Sequence, residues 1–159
     1  MSFRSKLENI KDLSLSIDLD APIDFVWNEM VNWEKQSEWM LATKVYDDHS
    51  SPIGVGHKIK AFTGFFPRRN TFLGVMDHMV VSEWNPPYFC RVEHVGKIIK
   101  GYGTFALSSP QEGKTQFDWF ERIDAPALIV LLIRPGVLLG VRFSLYRFKR
   151  EVMKALRLK

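Results

Sequence analysis

The last change of period among the apolar residues of this chain divides it into a sheet and a helix that must cover it. From Lys44 to Ile123 short stretches alternate, Lys58 and Lys60 with Ile59 and Ala61, Arg91 and Glu93 with Val92 and His94. A period of two gives each strand one dry face and one wet face. Turn chemistry separates the stretches at Asp47 to Ser51, Gly54, Gly64 to Arg68, Asn85-Pro86-Pro87, Gly96 and Ser108 to Gly113, a spacing that favours antiparallel hairpins. Beyond them Val141, Leu145, Phe148, Val152 and Leu156 recur at steps of four, three, four and four, the apolar stripe of a long amphipathic helix.

The segment ahead of the hairpins follows the same rules. Leu13, Leu15, Ile17 and Leu19 alternate with polar residues as a first strand. Asp20-Ala21-Pro22 then offers a capping carboxylate and a first-turn proline to a helix carrying Ile23, Val26, Trp27 and Met30. Asn32 can cap a second short helix with Trp33, Gln36 and Trp39. Pro135 and Gly136 are expected to separate the long helix from a shorter one at Ala127 to Arg134. The expected architecture is α+β: one domain over residues 1–159, with a curved antiparallel sheet of six to seven strands, two short helices after the first strand and a long C-terminal helix. One helix is about 10 Å wide, narrower than that many strands spaced about 4.8 Å apart, so the geometry predicts an internal apolar cavity beneath it.

Hydrophobic residues make up 46% of the 159 and aromatics 13%, enough to exclude a disordered chain. Cys90 is the single cysteine, which excludes an intrachain disulfide and a thiolate-cluster metal site. No two histidines have helical ligand spacing, and neither a metal nor another cofactor is expected. The net charge of +4 is concentrated near the C-terminus, in Arg142, Arg147, Lys149, Arg150, Lys154, Arg157 and Lys159 against Glu151. MSFRSKLENIKDL lacks the apolar run of a secretory leader, so the cytosol is the expected location. ALIVLLI, from Ala127 to Ile133, meets Arg134-Pro135-Gly136 and falls short of the roughly 20 apolar residues a spanning helix needs.

Four stretches carry a family resemblance: APIDFVWNEMVNWEKQSEW at the first helices, VSEWNPPYF before the fifth strand, TQFDWFERIDAP in the last strand and RPGVLLGVRFSLYRFKREV in the final helix. With the order of elements, they resemble the START-like superfamily, in particular the polyketide cyclase/dehydrase-like branch called SRPBCC. The resemblance implies a helix-grip fold, an internal cavity and an apolar ligand such as a lipid, sterol, polyketide or other aromatic metabolite. It implies no particular reaction.

Glu121 stands out because it falls on the apolar face of the last strand with Thr115, Phe117, Trp119 and Ile123. A carboxylate there can serve as a general acid/base or as the polar anchor of a ligand, and it matches a Trp-x-Glu element associated with the SRPBCC branch. The plainer reading is a strand-end glutamate paired with Arg122 or Arg134. His94 shares a face with Cys90 and Val92, and His78 sits among Met76, Val80 and Val81, so either is a candidate partner for the carboxylate. The plainer reading for both is a histidine satisfied by backbone.

The ring-rich lining expected for the cavity comprises Trp27, Trp39, Phe62, Phe65, Phe66, Tyr102, Phe117 and Trp119, with Val92 and Leu145. Phe65-Phe66-Pro67, flanked by Gly64, is a candidate lid. KGYGTFAL, from Lys100 to Leu107, partly matches an RNA-recognition pattern, but Thr104 stands where the stacking aromatic belongs, and no nucleic-acid partner is expected. The glycines of this stretch instead thin the strand, giving space to a ligand or a bend. The basic C-terminal stripe is either a weak contact for anionic membrane or a solvated face.

The sequence therefore points first to a monomeric or dimeric binder of a small hydrophobic molecule. A cyclase- or dehydratase-like acid/base enzyme, using Glu121 with His94 or His78, is one alternative. A membrane- or protein-interaction module docking through the basic helix is the other.

Overall fold

The computed structural model describes residues 9–65 and 73–158, the side chains of Phe65 and Leu73 excepted. The proposed lid at Phe65 and Phe66 lies outside what is described. Seven strands form one antiparallel sheet: β1 (Asp12–Leu19), β2 (Thr43–Asp47), β3 (Lys58–Phe65), β4 (Leu73–Asn85), β5 (Phe89–His94), β6 (Gly101–Gln111) and β7 (Lys114–Ile123). Their order is β1-β7-β6-β5-β4-β3-β2. Strands β2 to β7 thus form a meander in chain order, while β1 pairs with β7, Leu13 opposite Glu121 and Leu19 opposite Thr115.

Alternation settles which face is inside. Leu13 and Leu19 on β1, Ile59 and Ala61 on β3, Cys90 and Val92 on β5, Phe105 and Leu107 on β6, and Phe117 and Trp119 on β7 are all buried. Two short helices, α1 (Ile23–Met30) and α2 (Gln36–Trp39), and the long α3 (Ala127–Arg157) complete the fold. From α3, Val130, Leu145, Phe148 and Val152 are buried. Phe148 packs tilted against Trp39 at 4.9 Å and edge-on against Phe117 at 5.7 Å between ring centroids, so the apolar half of the inner face is closed by rings. Polar pins fix the short helices. Gln36 donates to the Met30 carbonyl, Ser37 Oγ accepts from the Val45 amide, and Thr115 Oγ1 donates to the Ala21 carbonyl.

Two local expectations are corrected. Asp20 does not cap α1. Pro22 occupies the N-cap position, extended at φ −61° and ψ 146°, and its carbonyl accepts from the Val26 amide, while Asp20 lies 3.9 Å from Lys114. Pro135 does not divide the last helix, because α3 runs unbroken through 31 residues. Proline forfeits one hydrogen bond, to the carbonyl four residues back. Leu131, Leu132, Pro135 and Gly136 are all exposed or half-exposed on the solvent side, so the carbonyl left over can be hydrated. The run from Ala127 is therefore not a short isolated segment: α3 is long and apolar enough to cross a membrane by length and composition.

Candidate functional site

At the end of the sheet where β4 begins and β5 and β7 finish, three ionisable side chains meet on the inner face. His94 Nδ1–H donates to Asp77 Oδ2 at 2.6 Å, and Nε2–H donates to Glu121 Oε1 at 2.5 Å. Their side chains are 7%, 9% and 17% exposed for His94, Asp77 and Glu121. They come from β5, β4 and β7, so His94 reaches its glutamate across the whole width of β6.

That reach depends on two glycines. Gly101 stands opposite His94 on one side and Ile123 on the other, and Gly103 stands opposite Val92 and Glu121. A Cβ on Gly103 would sit 2.7 Å from Glu121 Oε2, and one on Gly101, at φ +123°, would lie 1.8 Å from the Arg122 carbonyl oxygen. Strand β6 is thinned to backbone where the acid and the imidazole cross it.

Electrostatics fix the charge state of the ring. Burial disfavours the imidazolium, but the hydrogen bonds to Asp77 and Glu121, and then their charges, outweigh it and push His94 up from 6.5 to about 10. The trio is then a cation between two anions, net negative by one charge. Its acceptor capacity is not used up, because Asp77 Oδ1 is buried with no hydrogen-bond partner among the described residues. Glu121 Oε2 lies over the gap at Gly103. Both oxygens can accept from an O–H or N–H donor.

The remaining sequence candidates divide by face. Val92, Phe117, Trp119 and Leu145 are buried on the inner side with the trio, and Trp27 and Trp39 are buried in α1 and α2. His78 lies on the outer face, since Asp77, opposite Ala61, holds the inward position on β4. Tyr102 also faces outward, where its ring lies 3.8 Å from the Arg91 guanidinium carbon. Phe62 projects from the face opposite Ala61, with its ring tip over Gly74. These three do not line the inner face. Of the arginines considered as partners for Glu121, Arg122 lies on Asp12 at 2.8 Å and Arg134 donates to the Ile10 and Asp12 carbonyls, both at 2.8 Å.

Asp77 is the member of the trio that sequence reasoning missed. Its inward position shows only in the pairing of Asp77 with Ala61 across β3 and β4. A second buried pair, His57 Nε2 at 2.7 Å from Asp47 Oδ1, joins β2 to the residue before β3. His57 Nδ1 bonds Pro52 O at 2.9 Å and its ring stacks near Trp33. Nδ1 is hydrogen-bonded in this corner of the fold, while Nε2 and Asp47 Oδ1 approach closely without hydrogen-bond geometry. Burial pushes the Cys90 thiol up to about 12, so it stays protonated and inert. Among the described residues no group of three or more His, Cys, Asp or Glu side chains is arranged to hold a metal ion.

No family model matches the chain, and no curated protein matches its sequence. Solved structures do. A protein from Nitrosomonas europaea superposes with a TM-score of 0.72 at 12% identity, over 94% of this chain and 98% of that one. One from Thermus thermophilus gives 0.71 at 13%, over 91% and 98%. One from Mycobacterium smegmatis gives 0.69 at 11%, over 93% and 94%. At these identities the likeness establishes the fold: a curled antiparallel sheet around a long C-terminal helix, consistent with the helix-grip architecture.

Proposed function

We propose that this protein binds a small hydrophobic molecule on the inner face of its sheet and reads the molecule's polar head with Glu121, His94 and Asp77. The observation that carries the reading is the ionised trio itself. Desolvating each charged group costs several kcal/mol, and buried ion pairs are often replaceable by apolar residues without loss of stability. Here one strand is reduced to glycine to accommodate the trio, and two carboxylate oxygens are left able to accept. The ligand class that fits is apolar with a hydroxyl, amide or amine donor, as in a phenolic polyketide, a sterol or a lipid alcohol. This agrees with membership of the START-like superfamily and its SRPBCC branch, which we propose together with a cytoplasmic setting.

A second reading is favoured by the same contact. Glu121 is oriented by His94, and His94 by Asp77, and a carboxylate in that position can take a proton from a bound hydroxyl or enolisable carbon. On this reading the protein is a metal-free cyclase- or dehydratase-like catalyst. Native mass spectrometry of the purified protein, followed by thermal-shift titration with a flavonoid, a sterol and a long-chain alcohol, tests the binding proposal. A hydroxylated apolar compound is expected to bind, and Glu121→Gln to weaken it at least tenfold. Binding unaffected by Glu121→Gln, or no binding across all three, would overturn it.

A further inference from the structure

Helix α3 has two apolar faces, and only one is used by the core. Val130, Leu145, Phe148 and Val152 face the sheet, yet Leu128, Leu132 and Leu139 are 68%, 73% and 70% exposed, with Leu131, Phe143 and Tyr146 also exposed. The outward residues Leu128, Leu132, Pro135, Leu139, Phe143 and Tyr146 step by three or four, so they form one stripe along the helix. At about 1.5 Å per residue the stripe is roughly 28 Å long. Exposed apolar surface of this continuity marks a contact with something apolar.

Beyond Tyr146 the same outward stripe continues as Arg150, Lys154 and Arg157, all exposed, with Arg142 exposed beside Phe143. The other cations of the helix are engaged elsewhere: Arg134 with the Ile10 and Asp12 carbonyls, Arg147 with the Glu38 carbonyl and Lys149 with the Asp18 carbonyl. The one acid of α3, Glu151, is half-buried and 3.9 Å from Lys154. A shallow groove of about 540 Å³, bordered by Tyr146, Arg150, Lys154 and Arg157, lies on this basic end.

We propose that the outer face of α3 docks onto an anionic lipid bilayer. The apolar stripe enters the headgroup–acyl boundary and the basic end holds acidic headgroups. Charge complementarity selects this occupant. A second copy packed through the same face of α3 brings an apolar stripe but only the half-buried Glu151 to meet four exposed cations, whereas an anionic membrane supplies both surfaces at once. The helix lies on the membrane instead of crossing it, because its other face is bound to the sheet and Arg134 ties it to the strand β1 region.

The test is co-sedimentation of the full chain with vesicles of phosphatidylcholine alone and of phosphatidylcholine with about 30% phosphatidylglycerol. Binding to the mixed vesicles is expected to exceed binding to the neutral ones at least tenfold and to be released by alkaline carbonate. Leu128→Gln with Leu132→Gln and Leu139→Gln should lower partitioning at least tenfold while leaving the circular dichroism and Tm unchanged, since all three side chains are exposed. Arg150→Glu with Lys154→Glu and Arg157→Glu should abolish the preference for the anionic vesicles. Three results would overturn the proposal. They are partitioning indifferent to both variant sets, a carbonate-resistant integral form, and a stable dimer in solution that the leucine substitutions dissociate.

Discussion

Replacing Asp77 and Glu121 with Asn and Gln together keeps the shape around His94 and removes the two anions that hold it charged. In the native protein burial opposes the charge and the carboxylates overcome it, moving the ring from 6.5 to about 10. A folded-state value raised above the unfolded one stabilises the fold fully below about 6.5, and that contribution disappears as pH rises through about 10. At about 1.4 kcal/mol per pH unit, the span from 6.5 to about 10 corresponds to on the order of 5 kcal/mol, of which roughly 4 falls between pH 7 and 10. In the double variant only burial remains, so His94 should titrate below 6.5 and contribute no decline over that window. The assay pairs a ring-carbon NMR titration of His94 with urea unfolding from pH 6 to 10. Taking the difference between the two proteins cancels lysine and tyrosine titrations common to both. The stability difference is expected to shrink by about 4 kcal/mol from pH 7 to 10. A native His94 titrating near 6.5, or a difference constant with pH, would refute the reasoning.

Gly103→Ala places a methyl 2.7 Å from Glu121 Oε2 and should cost about 1–3 kcal/mol, read from urea midpoints. It should also lower the His94 titration midpoint, because Glu121 is displaced from the ring. Phe117→Ala empties a fully buried position between Phe105 and Phe148 and should cost about 3–5 kcal/mol in the same assay. Pro135→Ala returns an amide donor to an exposed turn of α3 and should stabilise the protein by about 1–3 kcal/mol, seen as a higher Tm.

The fold was legible because period and punctuation agree along most of the chain. Glu121 and His94 could be placed on the dry face by counting twos along β7 and β5. The same count misled at β6, where the inner positions are Gly101 and Gly103 and carry no apolar signal. Tyr102, the ring between them, therefore looked like the inward residue although it lies on the outside with Arg91. On β4 the run Met76-Asp77-His78-Met79 has no clean alternation, and the register shifts between Val81 and Glu83. Nothing local separates His78 from Asp77 there; the pairing of Ala61 with Asp77 does. The helix was half legible. A stripe at Val141, Leu145, Phe148, Val152 and Leu156 reads as the buried face, but a proline on an exposed turn looks in sequence like a break. The second apolar face becomes visible only once the first half of α3 is known to continue the same helix.

The pairing of β1 with β7 has a consequence for synthesis. Asp12 meets Arg122 and Leu19 meets Thr115, so the earliest strand of the sheet has its partner about a hundred residues downstream. At ~5–20 residues per second on the ribosome, that interval lasts roughly 5–20 s, during which β2 to β6 can close hairpin by hairpin. Throughout it β1 is a hydrophobic edge with nothing to pair to, and its alternating Ser14, Ser16 and Asp18 are what keep one side of that waiting strand wet. The strand made first is the one the sheet completes last.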